Sequence, residues 1–347
     1  MKVVLWAPVE ETVPPKKYGG TELVVANLAK GLVKKGHDVH VLCSGDSKPA
    51  GHKVAIAKEA IRKIYPSPDD ARLRDAMKII STGEAIKAIQ KIQPDIIHNN
   101  LNWRGVPFVE SLGIPAVSTI HGPITDPVNR AVFKHYPNHP FVSISNAQRK
   151  AFAARYVATV YNGIEVDKFH FARKPGKYLA FLGRMSPEKG PFEAIKAAKA
   201  AKIPLVMAAK VDAVDKEYFE YTIKPEIDGK LIKFIGEVDH EGKVKLLSGA
   251  LALLALIQWE EPFGLFMAEA MACGTPVIAS RRGSVPELVM PGKTGLIVKD
   301  TDHKAHVKAI KEVSSISRQV CRDWASEQFS VDKMTEGYLK VYEKLIK

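Results

Sequence analysis

Glu260-Glu261-Pro262-Phe263-Gly264-Leu265-Phe266-Met267-Ala268-Glu269-Ala270-Met271-Ala272-Cys273-Gly274-Thr275-Pro276 is the stretch on which the fold turns. The apolar run before it, Ala252 to Leu256, reads as a buried strand. Phe266 to Ala272 reads as a helix and Pro276 to Ala279 as the next strand. Strand, loop, helix and strand in so short a span describe a parallel crossover. Glu261 stands on the loop after the first strand, and Glu269 lies one to two turns into the helix. Parallel sheets bind ligands outside the carboxyl ends of their strands. A carboxylate there can accept hydrogen bonds from sugar hydroxyls, and the helix N-terminus beside it can hold phosphate. Glu269 sits in an otherwise apolar helix, where an unpartnered carboxylate is costly, so it is expected to meet a ligand or a partner.

Working outward, the same alternation fills the chain. In the second half, Tyr178–Leu182, Leu205–Ala208, Ile232–Ile235 and Gly295–Val298 read as strands, and Pro191–Ala201 as an Ala-rich helix. In the first half, Val3–Ala7, Asp38–Cys43, Asp95–His98, Pro115–Ile120 and Phe141–Ile144 read as strands. Thr21–Lys35 and Arg72–Gln93 read as helices. The polar stretch His170–Lys177, with Pro175 and Gly176, is the linker candidate. Two α/β domains follow, 1–169 and 170–330. Beyond them, 331–347 carries Met334, Tyr338, Val341, Tyr342 and Leu345 on one helical face, able to pack on either half.

Three more strand-to-helix junctions carry chemistry. Tyr18-Gly19-Gly20-Thr21-Glu22 lets backbone approach an anion, although taken alone a plain turn with an N-cap at Thr21 is the simpler reading. Gly183-Arg184-Met185-Ser186-Pro187-Glu188-Lys189-Gly190 sets a forked cation and a point cation around a turn, a pattern that can clamp a diphosphate. His121 closes Ser118-Thr119-Ile120-His121-Gly122 at a strand end. Asp300-Thr301-Asp302 spells D-x-D but follows the Gly295–Val298 strand, far from the clamp, and reads as a turn and N-cap. His303 and His306 lack a third ligand, so no metal site is expected.

Composition narrows the class. The 347 residues are 46% hydrophobic and 26% charged, enough apolar material for two cores. No run is long and apolar enough to span a bilayer, and Met1–Trp6 reads as a buried strand rather than a leader. Cys43, Cys273 and Cys321 form no pattern, pointing to a reducing cytoplasmic setting. The net charge is +13, with 23 Lys/Arg against 15 Asp/Glu in residues 1–170. That balance favours anionic partners. No helix-turn-helix, zinc or RNP-like signature supports nucleic acid. Arg149, Lys150, Arg155, Lys168, Arg173, Lys174 and Lys177 suggest instead a peripheral contact with an anionic membrane at the inner face.

Taken together, these residues resemble the retaining glycosyltransferases of family 4, which have the GT-B fold. The likeness runs through Gly19-Gly20-Thr21-Glu22, Pro94-Asp95-Ile96-Ile97-His98, Thr119-Ile120-His121-Gly122 and Tyr161-Asn162-Gly163-Ile164. It continues through Gly183-Arg184, Lys189-Gly190, Phe234-Ile235-Gly236-Glu237, the E-x7-E element Glu261 to Glu269, and Gly283-Ser284-Val285-Pro286-Glu287. The resemblance implies two Rossmann-like domains facing a cleft, an N-terminal acceptor domain and a C-terminal donor domain, with helix 331–347 crossing back to the first. It implies that Arg184 and Lys189 bind the donor diphosphate, and that Glu261 and the N–H groups of Gly264, Leu265 and Phe266 hold the donor sugar. Glu269 would bond the ribose, backbone near Val238 the base, and Gly19 and Gly20 the phosphates, with His121 near the transferred sugar. Transfer would be metal-independent and need no cofactor beyond a UDP- or GDP-hexose, with a sugar, lipid-linked or small-molecule acceptor. The chain departs from the family at Ala208-Ala209-Lys210, where many members carry glycine. A sugar phosphorylase, a sugar-nucleotide epimerase or a non-catalytic nucleotide-sugar-binding protein are alternatives on the same architecture.

Overall fold

The computed structural model describes residues 1–17, 19–299 and 302–347. Tyr18 and the Asp300-Thr301 part of the D-x-D reading lie outside the described residues. The chain forms two compact units, Met1–Gly163 with Val331–Lys347, and Ile164–Ser330.

Unit 1 holds β1 (Lys2–Trp6), β2 (Asp38–Ser44), β3 (His52–Ala57), β4 (Ile96–Asn99), β5 (Ala116–Thr119), β6 (Phe141–Ser143) and β7 (Tyr156–Thr159). They build a seven-stranded sheet in the order β3-β2-β1-β4-β5-β6-β7. Leu5 is flanked by Val41 of β2 and His98 of β4, both in parallel register. Val4, Trp6, Leu42, Ile97 and Ile89 of the helix Ala71–Ile92 form one core cluster, and Ile120, Phe133 and Phe141 belong to another.

The C-terminal helix Val331–Ile346 packs in unit 1, and polar chemistry fixes it there. Tyr342 Oη lies 2.7 Å from His98 Nδ1, His98 Nε2 lies 2.8 Å from Thr119 Oγ1, and that hydroxyl lies 3.0 Å from Tyr338 Oη. All four residues are buried, so each polar atom depends on its neighbour. The helix also crosses the helix Gly20–Lys34 closely. A Cβ on Gly31 would stand 2.0 Å from Thr335 Oγ1, so only glycine fits at the crossing.

Unit 2 holds β8 (Leu179–Arg184), β9 (Leu205–Lys210), β10 (Ile232–Phe234), β11 (Ala252–Ala255), β12 (Val277–Ser280) and β13 (Gly295–Val298), in the order β10-β9-β8-β11-β12-β13. Phe181, Met207, Leu253, Ile278 and Met271 are among its buried side chains. The helix Arg318–Phe329 is anchored by Arg318, which donates to the carbonyls of Ala172 (2.5 Å), Ala250 (3.0 Å) and Ser248 (3.2 Å) and to Thr275 Oγ1 (2.7 Å).

Two expectations change. His170–Lys177 is not a linker: Ala172 N–H donates to Cys273 O at 3.1 Å and Gly176 N–H to Ala250 O at 3.4 Å, which docks the stretch on unit 2. The division falls earlier than 169/170, at Gly163/Ile164, where Ile164 N–H donates to Phe329 O at 2.7 Å and ties the strand-like segment to the far end of unit 2. Strands β3 and β7 were not expected. Both are edge strands with part-exposed residues, so no continuous apolar run marks them. Cys43, Cys273 and Cys321 are free thiols and buried.

Candidate active site

The chain leaves β8 toward β9 and β10 on one side and returns to β11, β12 and β13 on the other. The gap between the carboxyl ends of β8 and β11 is therefore the switch point of unit 2, where open parallel sheets bind ligands. After β8 comes a turn, Pro187–Lys189, then Gly190 and the helix Pro191–Ala201. Gly190 has φ +70°, and a Cβ there would lie 1.9 Å from Leu256 O, so the turn closes against the β11 loop. The Gln258 N–H donates across to Glu188 O at 2.8 Å. Lys189 is thereby held over the β11 loop.

The side chain that receives it is Glu261. The two form an ion pair, and Trp259 Nε1–H donates to the same carboxylate oxygen at 3.1 Å. The Lys189 ammonium stands 4.8 Å from the centroid of the Trp259 ring and 5.7 Å from that of Phe266, so it rests in an aromatic bracket. Glu261 is 7% exposed. Its loop is locked by the segment that follows β12, where Ser284 N–H donates to Glu261 O at 2.9 Å and Ser284 Oγ–H to Phe263 O at 2.6 Å. Gly264, Leu265 and Phe266 open the helix Leu265–Ala272, and no side chain caps this end. Its first N–H groups thus point out beside the Lys189–Glu261 pair.

Glu269, one to two turns along the same helix, is buried and pairs with Lys243 of the helix His240–Ser248. The partner that burial demanded is a lysine. Val238 lies just before that helix and is half-buried. Arg184 is not an open fork: it pairs with Glu188 and stands 3.7 Å from Asp212 and 3.9 Å from Asp215. Burial raises the Asp215 carboxyl above its ordinary range, and Arg184 offsets part of that. Lys210, where the family pattern is broken, pairs with Asp212 at 2.9 Å.

Unit 1 has its own switch point, between β1 and β4. Gly19 and Gly20 start the helix after β1, and Glu22 in its first turn is 6% exposed. Burial pushes the Glu22 carboxyl up to about 7. His121 follows β5. Its backbone N–H donates to Asn102 Oδ1 at 3.0 Å, and its Nε2 stands 2.9 Å from Asn100 Oδ1, an acceptor that selects the Nε2–H tautomer. Desolvation lowers its pKa to about 4, so the ring is neutral at neutral pH, with Nδ1 left as the acceptor.

The structure thus brings Lys189, Glu261 and the Gly264–Phe266 backbone together in unit 2, and Gly19, Gly20 and His121 onto the switch-point end of unit 1. Lys243, Trp259, Asp212, Asp215, Asn100 and Asn102 were missed. Trp259 stands two residues before Glu261, and Asn100 directly follows β4, but neither residue type announces a role alone. Of the basic cluster, Arg149, Lys150 and Arg155 belong to unit 1, and Lys168, Arg173, Lys174 and Lys177 to unit 2. Arg149 is engaged with Thr159 Oγ1 and the Tyr156 ring, and Lys168 with Glu165. Among the described residues, no helix is long and apolar enough to cross a membrane.

Two parallel Rossmann-like units are the architecture of the GT-B glycosyltransferases. AviGT4, a glycosyltransferase involved in avilamycin A biosynthesis, superposes with a TM-score of 0.77 at 25% identity, covering 100% of this chain and 98% of that one. Anabaena Alr3699/HepE, solved in complex with UDP-glucose, gives a TM-score of 0.76 at 16% identity over 99% of this chain and 100% of that one. The glycogen synthase of Mycobacterium tuberculosis is 25% identical over 347 residues, 86% of this chain and 83% of that protein. The model of glycosyl transferases group 1 matches residues 164–328, and that of glycosyltransferase family 4 matches residues 18–168. The chain belongs to this family of glycosyltransferases and is an enzyme of that class.

Proposed function

We propose that the enzyme moves a hexose from a nucleoside-diphosphate sugar, with UDP or GDP as the carrier, to a hydroxyl of a sugar, lipid-linked or small-molecule acceptor. Transfer proceeds with retention and without a metal or other cofactor. The observation that carries this reading is the Lys189–Glu261 pair at the β8/β11 switch point, beside an uncapped helix N-terminus. The solution of a protein of the same fold with UDP-glucose supports the choice of donor.

In this reading unit 2 takes the donor and unit 1 the acceptor. Lys189 and Arg184 carry the diphosphate, with the N–H groups of Gly264, Leu265 and Phe266. Glu261 accepts hydrogen bonds from the sugar hydroxyls, Glu269 from the ribose, and the Val238 backbone meets the base. Gly19 and Gly20 meet the phosphates, and neutral His121 the transferred sugar. The bond from the anomeric carbon to the diphosphate oxygen breaks, and its electron pair leaves with the nucleoside diphosphate. The acceptor oxygen then bonds to the same face of that carbon, and its proton passes to the departing phosphate. Charge builds on the leaving group, so preorganised cations and helix dipoles there contribute several kcal/mol, by analogy with one oxyanion-hole donor at about 2.7–4 kcal/mol.

Thermal shifts with UDP, GDP, ADP and TDP, each with and without magnesium, test the donor site. A ligand at about 100 times its dissociation constant adds roughly 2.7 kcal/mol to stability. A magnesium-independent shift with one diphosphate, followed by turnover of its sugar-nucleotide, is expected. No shift with any of them at millimolar concentration, or transfer abolished by EDTA, overturns the reading.

A further inference from the structure

Far from the switch point, the edge of the unit 1 sheet carries a second cluster. Asp38 opens β2, His40 follows two residues on, and His52 opens β3. His40 and His52 are partners in the parallel β2/β3 register, and their rings stack with centroids 4.7 Å apart and planes 26° apart. Both rings turn Nε2 toward one carboxylate oxygen: Asp38 Oδ1 lies 3.1 Å from Nε2 of His40 and 3.3 Å from Nε2 of His52. All three candidate donor atoms lie within 4.8 Å of one another.

We propose that Asp38, His40 and His52 form a site for a zinc-class divalent cation, with water completing a tetrahedron. Nitrogen and oxygen donors bound at roughly 2.0–2.2 Å in a tetrahedron stand about 3.3–3.6 Å apart. The Asp–His separations already fall within a few tenths of an ångström of that edge. Two imidazoles and one carboxylate suit zinc, nickel or copper rather than magnesium, which prefers oxygen donors. The side chain of His40 is 19% exposed and those of Asp38 and His52 are 44% and 68% exposed, so the ion has an entry path from solvent. The three residues lie on the N-terminal halves of β2 and β3, while the switch-point residues follow the carboxyl ends of the strands. The ion therefore clasps the edge strand β3 to β2 and takes no part in sugar transfer. Because β3 is held by one neighbour alone, a cross-strand clasp acts where the sheet is weakest.

The test is titration of the chelator-treated full chain with zinc by calorimetry, with cobalt as the optical probe of a tetrahedral N/O site. One zinc per chain is expected, with affinity in the range of a three-ligand protein site. His52→Ala and Asp38→Asn each weaken binding by upwards of about 100-fold, since losing even an outer partner of a ligand costs roughly 10–100-fold. Both side chains are exposed enough for the variants to fold, which their circular dichroism checks. His303→Ala, on the helix His303–Glu312, leaves binding unchanged. Absence of saturable zinc binding, or binding that survives both His52→Ala and Asp38→Asn, overturns the proposal. So does binding that disappears with His303→Ala.

Discussion

Lys189 and Glu261, 72 residues apart in sequence, meet in an ion pair at the switch point of unit 2. Each is nearly buried, with side chains 12% and 8% exposed. Each therefore depends on the other for charge compensation, so stability and catalysis are coupled at this pair. Removing one partner of a buried pair costs about 3–5 kcal/mol, whereas replacing both with apolar or neutral groups is often near neutral.

A pair of variants separates the two effects. Lys189→Met alone should unfold earlier in urea and lose turnover by roughly 100-fold or more, the scale of losing one preorganised donor. Lys189→Met with Glu261→Gln should recover most of the stability and none of the turnover. Activity returning along with stability in the double variant would mean that the pair is structural and the diphosphate is held elsewhere.

Acid should destabilise unit 1 through its buried histidines. Burial lowers His98 to about 3 and His121 to about 4, from an ordinary 6.5. Below pH 6.5 the unfolded chain binds protons at these rings and the folded chain does not. Stability therefore falls with pH by about 1.4 kcal/mol per unit per histidine. Glu22 works in the opposite sense, since its folded carboxyl is raised from 4.5 to about 7. Between pH 4.5 and 6.5 it offsets the contribution of one such histidine. Glu22→Gln should therefore steepen the slope in that window by about 1.4 kcal/mol per pH unit in equilibrium unfolding measured from pH 4.5 to 6.5. An unchanged slope would mean that Glu22 titrates normally.

Arg318 holds unit 2 through neutral acceptors, the carbonyls of Ala172, Ala250, Ser248 and Cys273 and the hydroxyl of Thr275. Arg318→Met takes the guanidinium donors away from these acceptors, of which Ala250 O and Cys273 O keep a backbone donor, and should cost about 2–4 kcal/mol, each group left unsatisfied costing roughly 1–3 kcal/mol. Arg318→Lys should not rescue it, because one ammonium cannot span the fork. A urea midpoint within error of wild type for Arg318→Met would show that water replaces the guanidinium.

What could be read in advance follows the physics of burial. Central strands such as Leu205–Lys210 and Val277–Ser280 are apolar runs, and they were legible as such. The edge strands His52–Ala57 and Tyr156–Thr159 were not, because exposure on one side removes the run. The apolar helix marked Glu269 as a residue needing a ligand or partner, and the loop marked Glu261 as a sugar-binding carboxylate, yet neither pattern pointed to Lys243 as the partner of the one or Lys189 as the partner of the other. Ion pairs between distant elements are set by sheet order, which spacing along the chain does not encode. The Asp38–His40–His52 cluster escaped for the same reason, since one of its members lies on an unread strand.

Gly20 offers a test in which folding and ligand approach separate. It is the first residue of the helix Gly20–Lys34, and a Cβ added there would meet nothing within 4 Å. Its neighbour Gly19 differs, since a Cβ there would lie 2.7 Å from Pro15 Cβ. The protein itself thus explains a glycine at 19 and leaves the glycine at 20 without an internal reason. If a donor phosphate approaches the backbone at Gly20, a methyl group would collide with the ligand and not with the fold. Gly20→Ala should therefore keep or slightly raise the unfolding midpoint, by up to about 1 kcal/mol from helix propensity, while raising KM for the donor or lowering kcat at least about 10-fold. Gly19→Ala should lose stability and activity together. Unchanged kinetics in Gly20→Ala would remove this junction from the donor site and leave the phosphates to the groups of unit 2.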